Sequence, residues 1–249
     1  ASLIAPITSY ASVSEEEIEK RIIPYERKVS AVDEINVGII GFGIMGSRNA
    51  KTILEVPGVK LVAVCDLYKG RLERAIELYG HQLFTTQSYE ELLNRSDIDA
   101  VVVCTSDQWH EKISIDAMRK RKAVYCEKPV VHQLNQGWNV INVQKQTGVV
   151  LQVGSQRVSS IAYAEAKKFY KAGEIGQLNC IEASFDRHTA LGAWQYTMPL
   201  DATTETIAWK KYLKTNDDTP FDAKRFFWWR NYKEYGTGVA GDLFVHLLS

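Results

Sequence analysis

Between Ile35 and Asp66 the chain runs Ile35-Asn36-Val37-Gly38-Ile39-Ile40, then Gly41-Phe42-Gly43-Ile44-Met45-Gly46, then a helical pattern, then Leu61-Val62-Ala63-Val64-Cys65-Asp66. An apolar, β-branched strand that breaks into G-x-G-x-x-G and continues as a helix is the dinucleotide-binding fingerprint in the context it requires. Gly41 lets the chain turn sharply out of the strand, Gly43 removes a side chain that would hold a pyrophosphate off the backbone, and Gly46 lets the helix pack on the sheet. The helix N-terminus, including Phe42, Ile44 and Met45, then faces the phosphates with N–H groups and a partial positive charge. Asp66 follows Gly46 by twenty residues, at the tip of the next strand, where a carboxylate accepts from the ribose hydroxyls. It favours NAD, because a carboxylate repels the 2′-phosphate of NADP; Lys69 and Arg71 lie close enough to leave NADP open.

The pattern around this unit alternates steadily. It predicts a helix to about Glu55, a strand Lys60–Cys65, a helix Gly70–Tyr79, a short strand Leu83–Thr85, and a helix to about Asn94 opened by the capping box Ser88-Tyr89-Glu90-Glu91. Ala100–Cys104 is a continuous apolar run, as expected for a strand buried on both faces. A helix Trp109–Arg119, a strand Ala123–Cys126, a helix Leu134–Thr147 and a strand Val149–Val153 follow. Strands alternating with helices, without hairpin signals, mean a doubly wound parallel α/β sheet. After Gly154 the rhythm changes to a helix Ser159–Ala172, an alternating segment Gln177–Phe185 that reads as a strand, and then roughly forty irregular residues rich in Trp, Tyr, Phe and Arg. The expected division is an N-terminal arm over 1–33 with a short helix Glu15–Arg21, a dinucleotide-binding domain over 34–154, and a second domain over 155–249.

In 249 residues, thirty basic side chains balance thirty acidic ones, so no net field points to nucleic acid or an anionic membrane. A small molecule is the expected partner. Cys65, Cys104, Cys126 and Cys180 show no C-x-x-C spacing and read as buried thiols rather than metal ligands or a disulfide framework. No apolar run approaches the length of a membrane span. Ala1 at the start and Ser249 inside an apolar helical pattern read as the ends of a piece cut from a longer chain. Residues Ala1–Ala11 read either as the remnant of a secretory signal, which would mean the periplasm, or as a plain tail on a cytoplasmic protein.

Three further clusters carry chemistry. Thr105-Ser106-Asp107-Gln108-Trp109-His110 follows a central strand, which puts its polar residues on the carboxyl edge beside the cofactor; Ser106 or Asp107 reads equally as a helix N-cap. Glu127-Lys128-Pro129 follows the next strand and places an ammonium on the same edge, in a turn that proline fixes, with a cis bond in reach. Asp242 and His246 stand four apart on one helix face, a spacing that suits either a local hydrogen bond or a general acid/base pair.

In this order, G-F-G-I-M-G, T-x-x-x-x-H, E-K-P and D-x-x-x-H resemble the Gfo/Idh/MocA oxidoreductase family over about Ile35 to Ser249. Where the family has proline after the threonine, this chain has Ser106. The resemblance implies a Rossmann domain followed by an α+β domain with a mostly antiparallel sheet, incomplete here, together with sugar or polyol substrates and a homo-oligomer. It implies that Thr105, Ser106, His110, Glu127 and Lys128 join the glycine turn and Asp66 in binding NAD or NADP. It further implies that Lys128 contacts substrate, Asp242 holds the substrate hydroxyl and His246 transfers the proton.

The expected activity is hydride transfer between a sugar or polyol carbon and a nicotinamide. A glycosidase or lyase acting by transient oxidation, and a cofactor-binding fragment without turnover, are the alternatives. Arg157, Arg187, His188, Trp194, Arg230 and Tyr232 are the substrate-pocket candidates, since aromatic faces stack on sugars and arginines fork onto hydroxyls or carboxylates. Phe226-Phe227-Trp228-Trp229 reads as core or interface before sugar platform.

Overall fold

A computed structural model of the chain describes residues 34–184, 190, 192–214 and 217–248. The expected arm helix, the Ala1–Ala11 segment, Arg187 and His188 lie outside the described residues.

The alternation becomes β1 (Ile35–Ile40), α1 (Ile44–Ile53), β2 (Val59–Cys65), α2 (Lys69–Tyr79), β3 (Phe84–Thr86), α3 (Tyr89–Leu93), β4 (Ala100–Val103), α4 (Asp107–Arg119), β5 (Ala123–Glu127), α5 (Gly137–Thr147) and β6 (Leu151–Gly154). All six strands run parallel in the order β3-β2-β1-β4-β5-β6. That is the doubly wound order, whose switch point lies between β1 and β4. The packing explains the apolar runs. Val101 and Val103 join Ile40, Cys65 and Cys126 in a core against α3, α4 and α5, whereas Val102 joins Val37, Ile39 and Val64 in a core against α1 and α2. The strands β1, β2, β4 and β5 are therefore apolar on both faces, as a sheet covered by helices on both sides requires.

Capping sets the finer boundaries. The Ser88 hydroxyl accepts from the Glu91 N–H, but the Glu91 carboxylate turns to the Thr86 hydroxyl, so only half of the predicted capping box forms. Ser106 stands at the N-cap of α4 without its hydroxyl capping the helix.

Two compact units divide the chain: Arg157–Ile181 falls in one, and the sheet together with Glu182–Ser249 in the other. In the first, α6 (Ile161–Lys171) has no buried residue, and Arg157 stacks over Tyr163 at 5.9 Å.

The expected antiparallel sheet is overturned. Among the described residues after Gly154 there is no strand; only helices and irregular segments follow. Residues 177–184 are exposed and irregular instead of forming the expected strand. An alternating segment becomes a strand only where another offers backbone partners, and none of the described residues does so here.

Residues 202–214 and 217–235 instead contribute an aromatic cluster on the loop after β2. Ile207, Trp209, Tyr212, Phe226 and Tyr235 bury against Tyr68, around the short helices α7 (Trp209–Tyr212) and α8 (Ala223–Phe227). The backbone joins them too, since the Lys69 N–H donates to Thr206 at 2.9 Å and the Ala208 N–H to Leu67 at 2.9 Å. The chain then enters a π-helical turn, Ala240–Phe244, that continues as α9 (Val245–Leu248).

Candidate active site

Parallel strands deliver their following loops to one edge, and the three sequence clusters sit there. At the first loop, Gly41 has φ +91° and a Cβ on it would stand 2.6 Å from the Cys104 carbonyl oxygen. A Cβ on Gly46 would stand 1.9 Å from the Gly41 carbonyl oxygen, so the turn closes only with glycine at both places. Gly43 differs: the nearest atoms to its missing Cβ belong to the Arg71 guanidinium, at 3.6 Å. Its absent side chain leaves before the backbone only the end of a flexible cationic arm, which fits the approach of a pyrophosphate.

Asp66 lies at the cavity with its carboxylate held by three protein donors. Its Oδ2 accepts from the Phe42 N–H at 2.7 Å, its Oδ1 from the Tyr68 N–H at 2.9 Å, and Arg71 lies 3.3 Å from Oδ2. Its side chain is 3% exposed. Arg71 in turn lies over the rings of Phe226 and Phe227 at 5.7 and 5.4 Å. Phe42 contributes its backbone; its ring is buried edge-on against Tyr79.

His110 is 1% exposed, with Nδ1 2.6 Å from the Pro129 carbonyl oxygen and Nε2 3.1 Å from that of Thr105. Burial, the largest influence, works against its charge, but Cys126, Asp107 and the Pro129 carbonyl together raise its pKa to about 9. Asp107 is engaged elsewhere, accepting at Oδ2 from both the N–H and the hydroxyl of Thr237 at 2.9 and 2.7 Å.

At the next loop the Lys128–Pro129 bond is cis. Glu127 is buried, and its Oε1 accepts from the Asn49 amide at 3.0 Å. Asn49 also lies 3.3 Å from the Cys104 sulfur. Sequence reasoning missed Asn49. The available signal was its place one helical turn past Gly46, on the α1 face turned to the sheet. Burial and then the Glu127 charge push the Cys104 thiol up, so it is no thiolate nucleophile at neutral pH.

Lys128 reaches across to the π-helical turn. Its ammonium donates to the Asp242 carbonyl at 2.8 Å and to Asp242 Oδ1 at 2.9 Å, and Arg230 Nε donates to the same Oδ1 at 3.0 Å. Burial opposes the Asp242 charge, yet Arg230 and then Lys128 hold its carboxyl below the usual carboxylate range. A π-helical stretch is a frequent mark of a functional site.

A cavity of about 1140 Å³ joins these parts. Gly41, Gly43, Ile44, Met45, Asp66, Thr105, Ser106, His110, Glu127, Lys128, Asp242 and His246 line it, with Arg230 at the same wall. Phe42 and Gly46 do not line it, being turned into the protein. Of the other substrate candidates, Trp194 is 7% exposed and off the cavity, and Tyr232 packs in the aromatic cluster with Arg225 over its ring at 4.8 Å. Phe226, Phe227 and Trp229 serve both cluster and cavity wall. Gln156 and Tyr196, which sequence reasoning did not single out, also line it.

Residues 35–155 match the GFO_IDH_MocA family, described as an oxidoreductase family with an NAD-binding Rossmann fold. The chain is 36% identical over 145 residues to a scyllo-inositol 2-dehydrogenase (NAD(+)) of Bacillus subtilis, covering 58% of this chain and 42% of that protein. It is 27% identical over 196 residues to an α-N-acetylgalactosaminidase of Shewanella oneidensis, covering 74% of this chain and 40% of that one. Among solved structures, scyllo-inositol dehydrogenase from Lactobacillus casei with bound NAD(H) and scyllo-inositol superposes with a TM-score of 0.54 at 26% identity, covering 57% of this chain and 42% of that one. The chain thus spans less than half the length of these relatives. Over residues 35–155, with its fingerprint, its strand order and the E-K-P turn beside them, the chain matches the Gfo/Idh/MocA oxidoreductase family with the NAD-binding Rossmann fold.

Proposed function

We propose that this chain carries the hydride-transfer site of an NAD-dependent oxidoreductase acting on a sugar or polyol hydroxyl. The observation that supports it is the single cavity on which the glycine turn, Lys128, Asp242 and His246 all open. The division into an arm, a dinucleotide half to residue 154 and a substrate half beyond it belongs to the same proposal.

Bound nicotinamide supplies the hydride acceptor. The chain's own groups bind, orient and move the proton. His246 takes the proton from the substrate hydroxyl, the imidazole being the side chain whose charge changes near neutral pH. Lys128 holds the oxygen on which negative charge develops. Asp242 receives Lys128 and Arg230 on Oδ1, which leaves Oδ2 to accept from a neighbouring substrate hydroxyl. The two cations keep that carboxylate ionised, so it accepts and does not donate. Asp66 favours NAD, and Arg71 beside it is the group that would receive the 2′-phosphate of NADP.

The test is a panel of sugars and polyols offered with NAD and with NADP, followed by nicotinamide absorbance. Reduction by a free sugar or polyol is the expected result; no reduction by any member contradicts the reading. A second reading, glycoside cleavage through transient oxidation, is favoured by the relative that matches 74% of this chain and is named a glycosidase. Release of sugar from a glycoside with no net nicotinamide reduction would select it.

A further inference from the structure

Neutral imidazole carries one N–H and one lone pair, so it can satisfy only one of two carbonyl oxygens facing its ring nitrogens. His110 faces two, at 2.6 and 3.1 Å, with the ring 1% exposed and no room for water to mediate. In either neutral form a lone pair would point at a carbonyl lone pair, an arrangement that costs the full desolvation of both. Only the imidazolium donates to both.

The two carbonyls are not equivalent places. One belongs to Thr105, in the loop after β4 that lines the cavity; the other belongs to Pro129, the residue directly after Lys128. We propose that His110 is a positioning residue, held as a buried imidazolium that staples the Thr105 loop to the Lys128–Pro129 turn and so sets where the Lys128 ammonium stands. The titratable groups that face the ring are Asp107 from its own helix and Cys126 from β5. Asp107 already accepts twice from Thr237, so the ring's own donors go to the carbonyls. His110 thus serves the cofactor site through the two backbone segments it ties together. The meaning of this staple rests on the proposed hydride-transfer site, but its test does not use turnover.

Nitrogen-15 spectra of the imidazoles in the full chain, with the His110 signals assigned by their loss in His110→Gln, read the protonation state directly. Both ring nitrogens should carry protons at pH 7 and through pH 8, with a single deprotonation step nearer pH 9. A signal from an unprotonated ring nitrogen at pH 7 overturns the cation. Deuterium exchange then reads the staple. In His110→Leu, and more weakly in His110→Gln, peptides covering 104–106 and 127–131 should exchange at least about tenfold faster, while those of β1 and β2 stay unchanged. Unchanged exchange at 127–131 in a folded His110→Leu protein overturns the staple. If that variant does not fold, the spectra of the unsubstituted chain and the exchange of His110→Gln still decide. An inactive chain with both signatures present would count against the proposed activity and not against the staple.

Discussion

Asp242 shows how two neighbouring cations decide the state of a buried acid. Because its pKa is depressed, its ionic contribution to stability is fully present above the ordinary value of 3.8 and is lost only as pH falls below it. Asp242→Asn leaves Lys128 and Arg230 without their shared charge, and breaking a largely buried pair in this way costs about 3 kcal/mol. That variant should melt lower at pH 7 and turn over at least about a hundredfold more slowly, a typical loss for a positioned acid/base or charge partner. Lys128→Ala should abolish turnover while leaving NAD binding measurable by titration. Unchanged rates would remove Lys128 from the mechanism. His110 works in the opposite sense. Its pKa is raised, so its stabilisation is complete below the ordinary 6.5 and is lost as pH rises through about 9. Up to about 3 kcal/mol should disappear across that window in a denaturation series, and His110→Gln should flatten the slope. The sequence pattern pointed to His110 as a cofactor contact. What it could not reveal is that two carbonyls meet at its ring, since neither Thr105 nor Pro129 advertises its backbone.

The glycine turn, the strands and the segments docked on them each separate fold from function. Gly43→Ala meets only the end of a flexible arginine at 3.6 Å and should fold with a stability near that of the unsubstituted chain, yet bind NAD at least about tenfold more weakly, because the new methyl occupies the space of the pyrophosphate. Gly46→Ala drives a methyl into a carbonyl and should destabilise the whole sheet by about 3 kcal/mol in urea unfolding. Equal effects of the two substitutions would contradict this assignment. The inner parallel strands were legible because they are apolar on both faces and bounded by helical periodicity. The segment at Gln177–Phe185 was misleading because alternation states which faces differ, not which strand is available to pair. The segment around Phe226 was half legible: its aromatic character announced burial, but only Tyr68 on the β2 loop shows where.

Across the larger unit, the segment that bears Asp242 and His246 is held against the dinucleotide sheet by a short set of polar ties. Asp107 receives Thr237, the Trp109 indole donates to the Tyr212 carbonyl at 2.8 Å, and the Gln108 N–H donates to the Tyr235 carbonyl at 3.3 Å. Asp107→Ala strands a backbone N–H and a hydroxyl and should cost about 2 kcal/mol. Deuterium exchange should rise in peptides spanning 236–246 and not in β1 or β4; uniform change would mean a general loss of stability instead. These ties also explain why the site was only partly legible. The residues of the cleft belong to motifs, and motifs survive in sequence, whereas the contacts that bring 242–246 to the carboxyl edge join positions more than a hundred residues apart through side chains that a linear reading ranks as caps and core. The decisive observation is a crystal structure with NAD(H) bound. The nicotinamide should lie in the cavity with the Lys128 ammonium and the His246 ring converging on its hydride face and the pyrophosphate over Gly43. A dinucleotide bound with its nicotinamide turned away from Lys128 and His246 would contradict hydride transfer at this site.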